Sequence, residues 1–232
     1  LGSFYKVNMS NKKWSTNVNF SYNSSENDYD YIGLFTWKGI QRKNINGQFQ
    51  NSSLNANLGY KINNHSIIKW YSQTSDVSRN ISVNSDAETK TKYNFNFSRN
   101  LLSYENWWGK FKGEAKVAYL LENYAYFPDI NSLNTSFGIT KSTITKLDFG
   151  YHFESRFKIN VFADYNHTKG EGSGFGNHDR QIASGALQAT YDYDNKWSSE
   201  MGIRQEVSDV YKSPFLFSTA SSFNVAFFPV AM

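Results

Sequence analysis

Four histidines, His65, His152, His167 and His178, are the chain's imidazoles, and none stands at zinc-site spacing to a second ligand. His178-Asp179-Arg180 supplies a base and an orienting carboxylate, but no Gly-x-Ser-x-Gly elbow marks a nucleophile to accompany them. Paired carboxylates occur at Asp28/Asp30 and Glu200/Glu206. Asp28 and Asp30 in the first long connection are a weak signal for calcium, whose loops draw ligands from about twelve residues. Glu200 and Glu206 stand beside Arg204, as in a charge ladder rather than an acid–base pair. The run Gly170-Glu171-Gly172-Ser173-Gly174-Phe175-Gly176 has the glycines of a phosphate cradle. A cradle works by opening a helix whose amides meet the phosphate, and the residues from Arg180 onward alternate like a strand. With no cysteine, disulfides and thiolate metal sites are excluded. The expectation is a chain without enzyme chemistry, resident metal or cofactor.

Aromatic residues offer recognition chemistry instead. Tyr29, Tyr31, Phe35 and Trp37 fall in one connection, and Tyr124, Tyr126 and Phe127 in another, where exposed rings make ligand contacts. These seven are the candidate ligand-contact residues.

The elements that position them follow from composition and periodicity. Of 232 residues, 16 Tyr, 19 Phe and 6 Trp make 18% aromatic, while charged residues are 19% and mean hydropathy is negative. Rings mixed with Asn, Ser and Thr suit strands with one apolar and one neutral polar face. The net charge of +4 is spread among carboxylates rather than gathered in a stripe, which argues against a nucleic-acid partner. No run reaches the ~18 apolar residues of a membrane helix, so any crossing must be by strands.

Period two dominates. In 14–23, Trp14, Thr16, Val18, Phe20 and Tyr22 alternate with Ser and Asn, and side chains alternate across a strand. The same alternation recurs around Phe95, Val117, Phe149, Tyr151, Val161, Tyr191 and Ile203. These, with Trp14, Val18 and Phe20, are expected to face lipid. Lys112, Glu114, Lys116, Asp148, His152, Asp164, Glu200 and Arg204 are expected to face an enclosed lumen. The segments run about ten to thirteen residues, against ~9–11 for a membrane-crossing strand and ~5–6 for an ordinary one. Short links at 11–13, 62–65, 104–106, 154–156 and 194–196 alternate with long ones at 24–47, 75–89, 123–140, 169–179 and 208–221. Trp14, Trp107, Trp108 and Trp197 lie near the short links, as interfacial rings do. The pattern predicts an all-β, antiparallel up-and-down transmembrane β-barrel segment over 1–232, with about ten strands and the start of an eleventh near 223–228.

Ala125-Tyr126-Phe127-Pro128-Asp129-Ile130-Asn131-Ser132, Thr168-Lys169-Gly170-Glu171-Gly172-Ser173-Gly174, Arg204-Gln205-Glu206 and Tyr211-Lys212-Ser213-Pro214-Phe215-Leu216-Phe217-Ser218 resemble segments of TonB-dependent outer-membrane receptors of the Bacteroidetes lineage. Asn57-Leu58-Gly59-Tyr60-Lys61-Ile62-Asn63 and Ser25-Glu26-Asn27-Asp28-Tyr29 are similar to the same group. The resemblance implies a 22-stranded barrel in the bacterial outer membrane, of which this chain is a central segment without the plug. It implies uptake of a scarce ligand (siderophore-iron, cobalamin, haem or glycan) energised by the TonB system through that plug. The expected surroundings are outer-membrane lipid and lipopolysaccharide.

Two alternatives stand beside this reading. One is a closed ten-stranded outer-membrane barrel enzyme using His178 and Asp179. The other is a secreted β-sandwich that binds glycans through Trp37.

Overall fold

A computed structural model describes residues 1–32, 41–44, 46–81, 90–153, 156–193 and 196–224. Its strands are β1 (Gly2–Ser10), β2 (Trp14–Ser25), β3 (Asp30–Ile32), β4 (Gln41–Lys43), β5 (Phe49–Lys61), β6 (Ser66–Ile81), β7 (Thr91–Trp108), β8 (Phe111–Phe127), β9 (Ser136–His152), β10 (Phe157–Gly172), β11 (Gly176–Tyr193), β12 (Trp197–Ser208) and β13 (Leu216–Phe223). Eleven of them form one antiparallel sheet in chain order, and β3 and β4 form a separate ribbon between β2 and β5. This is the expected up-and-down topology. Among the described residues the sheet is open, with β1 and β13 at its edges.

Local chemistry explains the short turns. Asn11 Oδ1 accepts from the amides of Lys13 at 2.8 Å and Trp14 at 2.7 Å, and Asn63 Oδ1 accepts from the His65 amide at 2.8 Å. Asparagine favours turns because its side chain caps the backbone two or three residues on. The third short link departs from the expected place. Residues 104–106 lie inside β7, and the chain reverses at Gly109-Lys110, where Gly109 has φ 61°. A two-residue hairpin wants a glycine with positive φ at its first central position, and Tyr104-Glu105-Asn106 contains none.

The expected long loop at 169–179 is also absent. β10 continues to Gly172 and β11 starts at Gly176, leaving Ser173-Gly174-Phe175 between them. There is no room for a side chain at Gly172: a Cβ would meet the Phe137 carbonyl at 2.8 Å. The last strand ends at Phe223, and residues 225–228 of the expected eleventh strand lie outside the described residues.

Strands β6 to β11 run 16 to 18 residues. That exceeds the ~9–11 needed to cross hydrocarbon, so the sheet stands well clear of any membrane at the long-connection end.

Register fixes which residues share a face, because directly paired residues point the same way. Phe149 pairs Val161, Val161 pairs Leu187, Leu187 pairs Ile203 and Ile203 pairs Phe217. This ladder belongs to an apolar face running through Val18, Leu58, Trp70, Leu102 and Val117. Val161 is 46% and Leu187 48% exposed, and no hydrophobic side chain is buried among the described residues. A soluble monomer does not leave so broad an apolar surface bare.

At the short-turn end the same face carries a belt of rings. Trp14 packs on Tyr60 (4.4 Å), Trp108 on Phe111 (6.0 Å), Phe111 on Tyr151 (6.3 Å), Tyr191 on Trp197 (5.9 Å) and Trp197 on Phe223 (6.0 Å).

At the other end, side chains stitch neighbouring connections together. Asn46 is 8% exposed and its amide donates to the carbonyls of Ile81 (2.9 Å) and Thr91 (3.0 Å). Thr91 Oγ1 donates in turn to the Pro128 carbonyl at 2.8 Å, and the Ile130 amide to Lys90 at 2.9 Å.

Gly109→Val is expected to destabilise the refolded full-length protein by about 1–2 kcal/mol, the cost of a left-handed backbone for a residue with a Cβ. Urea unfolding in detergent micelles checks this; an unchanged midpoint would contradict the turn geometry.

Candidate functional site

The face opposite the apolar ladder is charged. Lys112, Glu114, Lys116, Asp148, His152, Asp164, Glu200 and Arg204 all lie on it. Glu114 stands opposite Asp148, and Lys116 opposite Lys146. The two like-charged pairs sit side by side, so each charge has opposite charges as diagonal neighbours, within reach of long side chains. Lys116 Nζ lies 2.7 Å from Glu114 and Lys69 Nζ 2.5 Å from Glu105. Further along, Arg204 bridges Asp164 (3.6 Å) and Glu206 (3.3 Å), and Ser184 donates to Asp164. The network offers no metal cage: no group of three or more His, Asp or Glu among the described residues is arranged to hold an ion.

One expected lipid-facing residue is on this charged face. Phe95 pairs with Tyr124, two positions from Glu122 and on the face of Lys116, opposite to Val117. The facing assignment for Phe95 is therefore corrected, while the other nine apolar candidates share the apolar face.

The reason lies within β7. Its apolar residues are odd-numbered at Tyr93, Phe95 and Phe97 but even-numbered at Leu102, Tyr104 and Trp108, and the register is unbroken between them. With no bulge, the change of parity is a change of face. On the apolar face the outer part of β7 is instead Asn94, Asn96, Ser98 and Asn100, tied to its neighbours by Ser78–Asn94 (3.0 Å) and Asn123–Asn96 (2.8 Å) hydrogen bonds.

The result is an aromatic wall on the charged face, near the long-connection end of β7 and β8. Tyr93 pairs with Tyr126 and Phe95 with Tyr124. The Tyr93 and Phe95 rings stack at 6.4 Å and 9°, Tyr93 and Tyr124 at 6.4 Å and 23°, and Phe95 tilts onto Phe97 at 5.8 Å. Arg99 lies 4.4 Å over the Phe97 ring and pairs with Glu122, Nε to Oε1 3.1 Å. Arg79 of β6 stands opposite Tyr93 and adds a second guanidinium. Gly138 of β9 lies opposite Tyr124, and any Cβ there would overlap the Tyr124 ring. The glycine gives the ring its seat. Such a surface suits a flat, polarisable ligand with anionic substituents, through ring stacking and cation–π contact.

Of the seven candidate contact residues, Tyr124 and Tyr126 belong to this wall, but as part of strand β8 rather than of a loop. Phe127 ends the same strand on the apolar face, opposite Lys92. Tyr29 is exposed and its carbonyl accepts from the Asn44 amide at 2.9 Å. Tyr31 pairs with Arg42 in the small ribbon, and Phe35 and Trp37 lie outside the described residues. Sequence reading missed Tyr93 and Phe97 as members of this wall; the parity switch in β7 was the available signal.

Asp28 pairs with Lys43 at 3.2 Å. His178 and Asp179 point to opposite faces, and the Asp179 carboxylate meets His167 Nε2 at 2.7 Å instead. At the β12–β13 connection, the Ser208 hydroxyl donates to Asp209 at 2.9 Å and holds that carboxyl below the usual range.

No protein family matches the sequence, and no curated protein does. Solved structures do. The siderophore receptor PirA from Acinetobacter baumannii aligns over 97% of this chain and 38% of its own, at 14% identity and a TM-score of 0.70. The Serratia marcescens hemophore receptor HasR, solved with its hemophore and heme, aligns over 88% and 31% (13% identity, TM-score 0.63). The ferric yersiniabactin uptake receptor FyuA from Yersinia pestis aligns over 95% and 40% (10% identity, TM-score 0.61). The chain thus spans well under half the length of each. The fold is that of an outer-membrane β-barrel wall.

Gly138→Val is expected to push the Tyr124 ring off Tyr93. Fluorine NMR of a fluorotyrosine at position 124 reads the displacement as a shifted, broadened resonance; an unmoved signal would remove Gly138 as the seat.

Proposed function

We propose that this chain is part of the wall of a receptor barrel in the bacterial outer membrane. Its apolar face meets lipid, its charged face lines the interior, and the aromatic wall contacts a scarce ligand during uptake. The observation that carries the reading is the placement of charge on the apolar face. Among the described residues, its Asp, Glu, Lys and Arg side chains are Asp76, Lys92, Lys141, Lys169, Glu171 and Asp179. Every one lies in the half of its strand farther from the ring belt. Below them, down to the ring belt, the face is uncharged, as hydrocarbon demands. The belt then marks one lipid–water boundary.

Further strands close the barrel against the edges β1 and β13, because unpaired backbone in lipid costs several kcal/mol per group. A plug within the barrel couples it to the TonB system, and outer-membrane lipid and lipopolysaccharide surround it. The Bacteroidetes type rests on the short motifs alone. Among the ligand classes, an iron chelate or haem suits the stacked rings and their two guanidinium groups best, in keeping with the siderophore, heme and ferric yersiniabactin named for the structural neighbours. A receptor is favoured over a hydrolase because His178 and Asp179 diverge.

Val161→Arg in the full-length protein is expected to impair outer-membrane assembly, at a cost below the about 2–4 kcal/mol of a midplane arginine because it lies two residues from the ring belt. Gln188→Arg, one pair along on the charged face, is expected to assemble normally. Membrane fractionation with heat-modifiable migration tests this, and equal tolerance would reverse the facing. Phe95→Ala and Tyr124→Ala are each expected to weaken binding at least tenfold. The assay titrates the full-length protein with a panel of ferric siderophores, haem, cobalamin and oligosaccharides. A ligand that binds both variants as tightly as wild type would remove the wall from the site.

A further inference from the structure

We infer that the apolar face carries a lipid-headgroup site, in which Lys141 and Lys169 hold a phosphate of the outer leaflet's glycolipid. The inference rests on the proposal that this face meets the membrane. Tyr151 in the ring belt pairs with Ile159, and ten residues further along each strand Lys141 pairs with Lys169. Ten residues at ~3.3 Å each span ~33 Å along the strand. For strands tilted by about 40° that is ~25 Å along the membrane normal, the height of a barrel's apolar band. The two ammonium groups therefore stand at the opposite hydrocarbon boundary from the belt, where lipid phosphates lie.

Like charges directly opposite one another destabilise a sheet. Here Glu171 is the diagonal neighbour of Lys141, yet the two are not within ion-pair distance, so compensation is incomplete. The carboxylate of Asp179 is divided between His167 (2.7 Å) and Lys169 (3.4 Å). Lys141 has no carboxylate within ion-pair distance among the described residues, and its β8 partner is Leu121. Glu171 lies one pair further out, opposite Ile139, on the water side of the lysines. Between the lysines and this outer pair is a depression of about 350 Å³ lined by Ile139, Lys141, Lys169, Glu171 and Asp179. Tyr165, four residues from Lys169 toward the ring belt, keeps its ring on the apolar face and satisfies its hydroxyl by donating to Gln181 at 3.0 Å. A phosphate monoester carries up to two negative charges and three acceptor oxygens, which fits the gap between two ammonium groups. A phosphate anchored on acyl chains arrives at this height already oriented; a free phosphate gains nothing from the apolar wall beneath.

The test uses the full-length protein in neutral detergent, with bound lipopolysaccharide counted by native mass spectrometry. A double Lys141→Gln, Lys169→Gln variant is expected to retain at least tenfold less lipopolysaccharide. The double Lys→Arg variant should retain it, and Lys158→Gln on the charged face should change nothing. Dephosphorylated lipopolysaccharide and phosphatidylcholine vesicles are expected to bind wild type and the double Gln variant equally weakly. Undiminished retention by the double Gln variant would overturn the proposal. So would displacement of lipopolysaccharide by equimolar inorganic phosphate, which would make the site one for the free anion. Normal heat-modifiable migration shows that the variants fold. If Val161→Arg also assembles normally, the membrane-facing reading itself has failed; if it does not, only the headgroup site is lost.

Discussion

Inside hydrocarbon no water is available to complete a backbone hydrogen bond, so every amide there must find a carbonyl in the protein. An uninterrupted antiparallel ladder of strands in chain order satisfies this, and the rest of the structure follows from it. The register has no slack: a slip of one residue would turn a strand's greasy set inward and its charges outward. The Phe149–Val161–Leu187–Ile203–Phe217 ladder on one side and the ion-paired network on the other therefore specify the same pairing twice.

The charged face is balanced rather than reactive. Glu114, Lys116, Lys146 and Asp148 form a neutral square, and Arg204 is shared between two carboxylates. Exposed pairs of this kind contribute up to about 1 kcal/mol each.

Alternation made the faces legible in sequence, because a strand's period is two and hydrocarbon tolerates few exceptions. That is why Val117, Val161 and Ile203 fall together, and Lys112, Asp148 and Arg204 opposite them. Strand ends were less legible. Beyond the membrane neither face must be greasy, so polar stretches such as 75–81, 169–172 and 176–179 read as loops although the ladder continues through them. The turn at Gly109 was masked by a run of strand-like residues with a plausible break at 104–106. The Phe95 assignment failed for a related reason. The outer part of β7 keeps a perfect alternation but inverts its sense, and alternation by itself has no sign. Only the partners, Tyr124 on one side and Val77 on the other, show which way Phe95 points.

The stitching that begins at Asn46 sets a condition on how such a protein can be diversified. One amide group holds the ends of the neighbouring strands, and Thr91 passes the tie to the following connection. Three stretches distant in sequence thereby become one architectural unit. Grafting a foreign segment into the first without an equivalent of Asn46 would take a donor from the Ile81 and Thr91 carbonyls and loosen the rim two strands away. Recombination at this rim succeeds when the connections travel as a set.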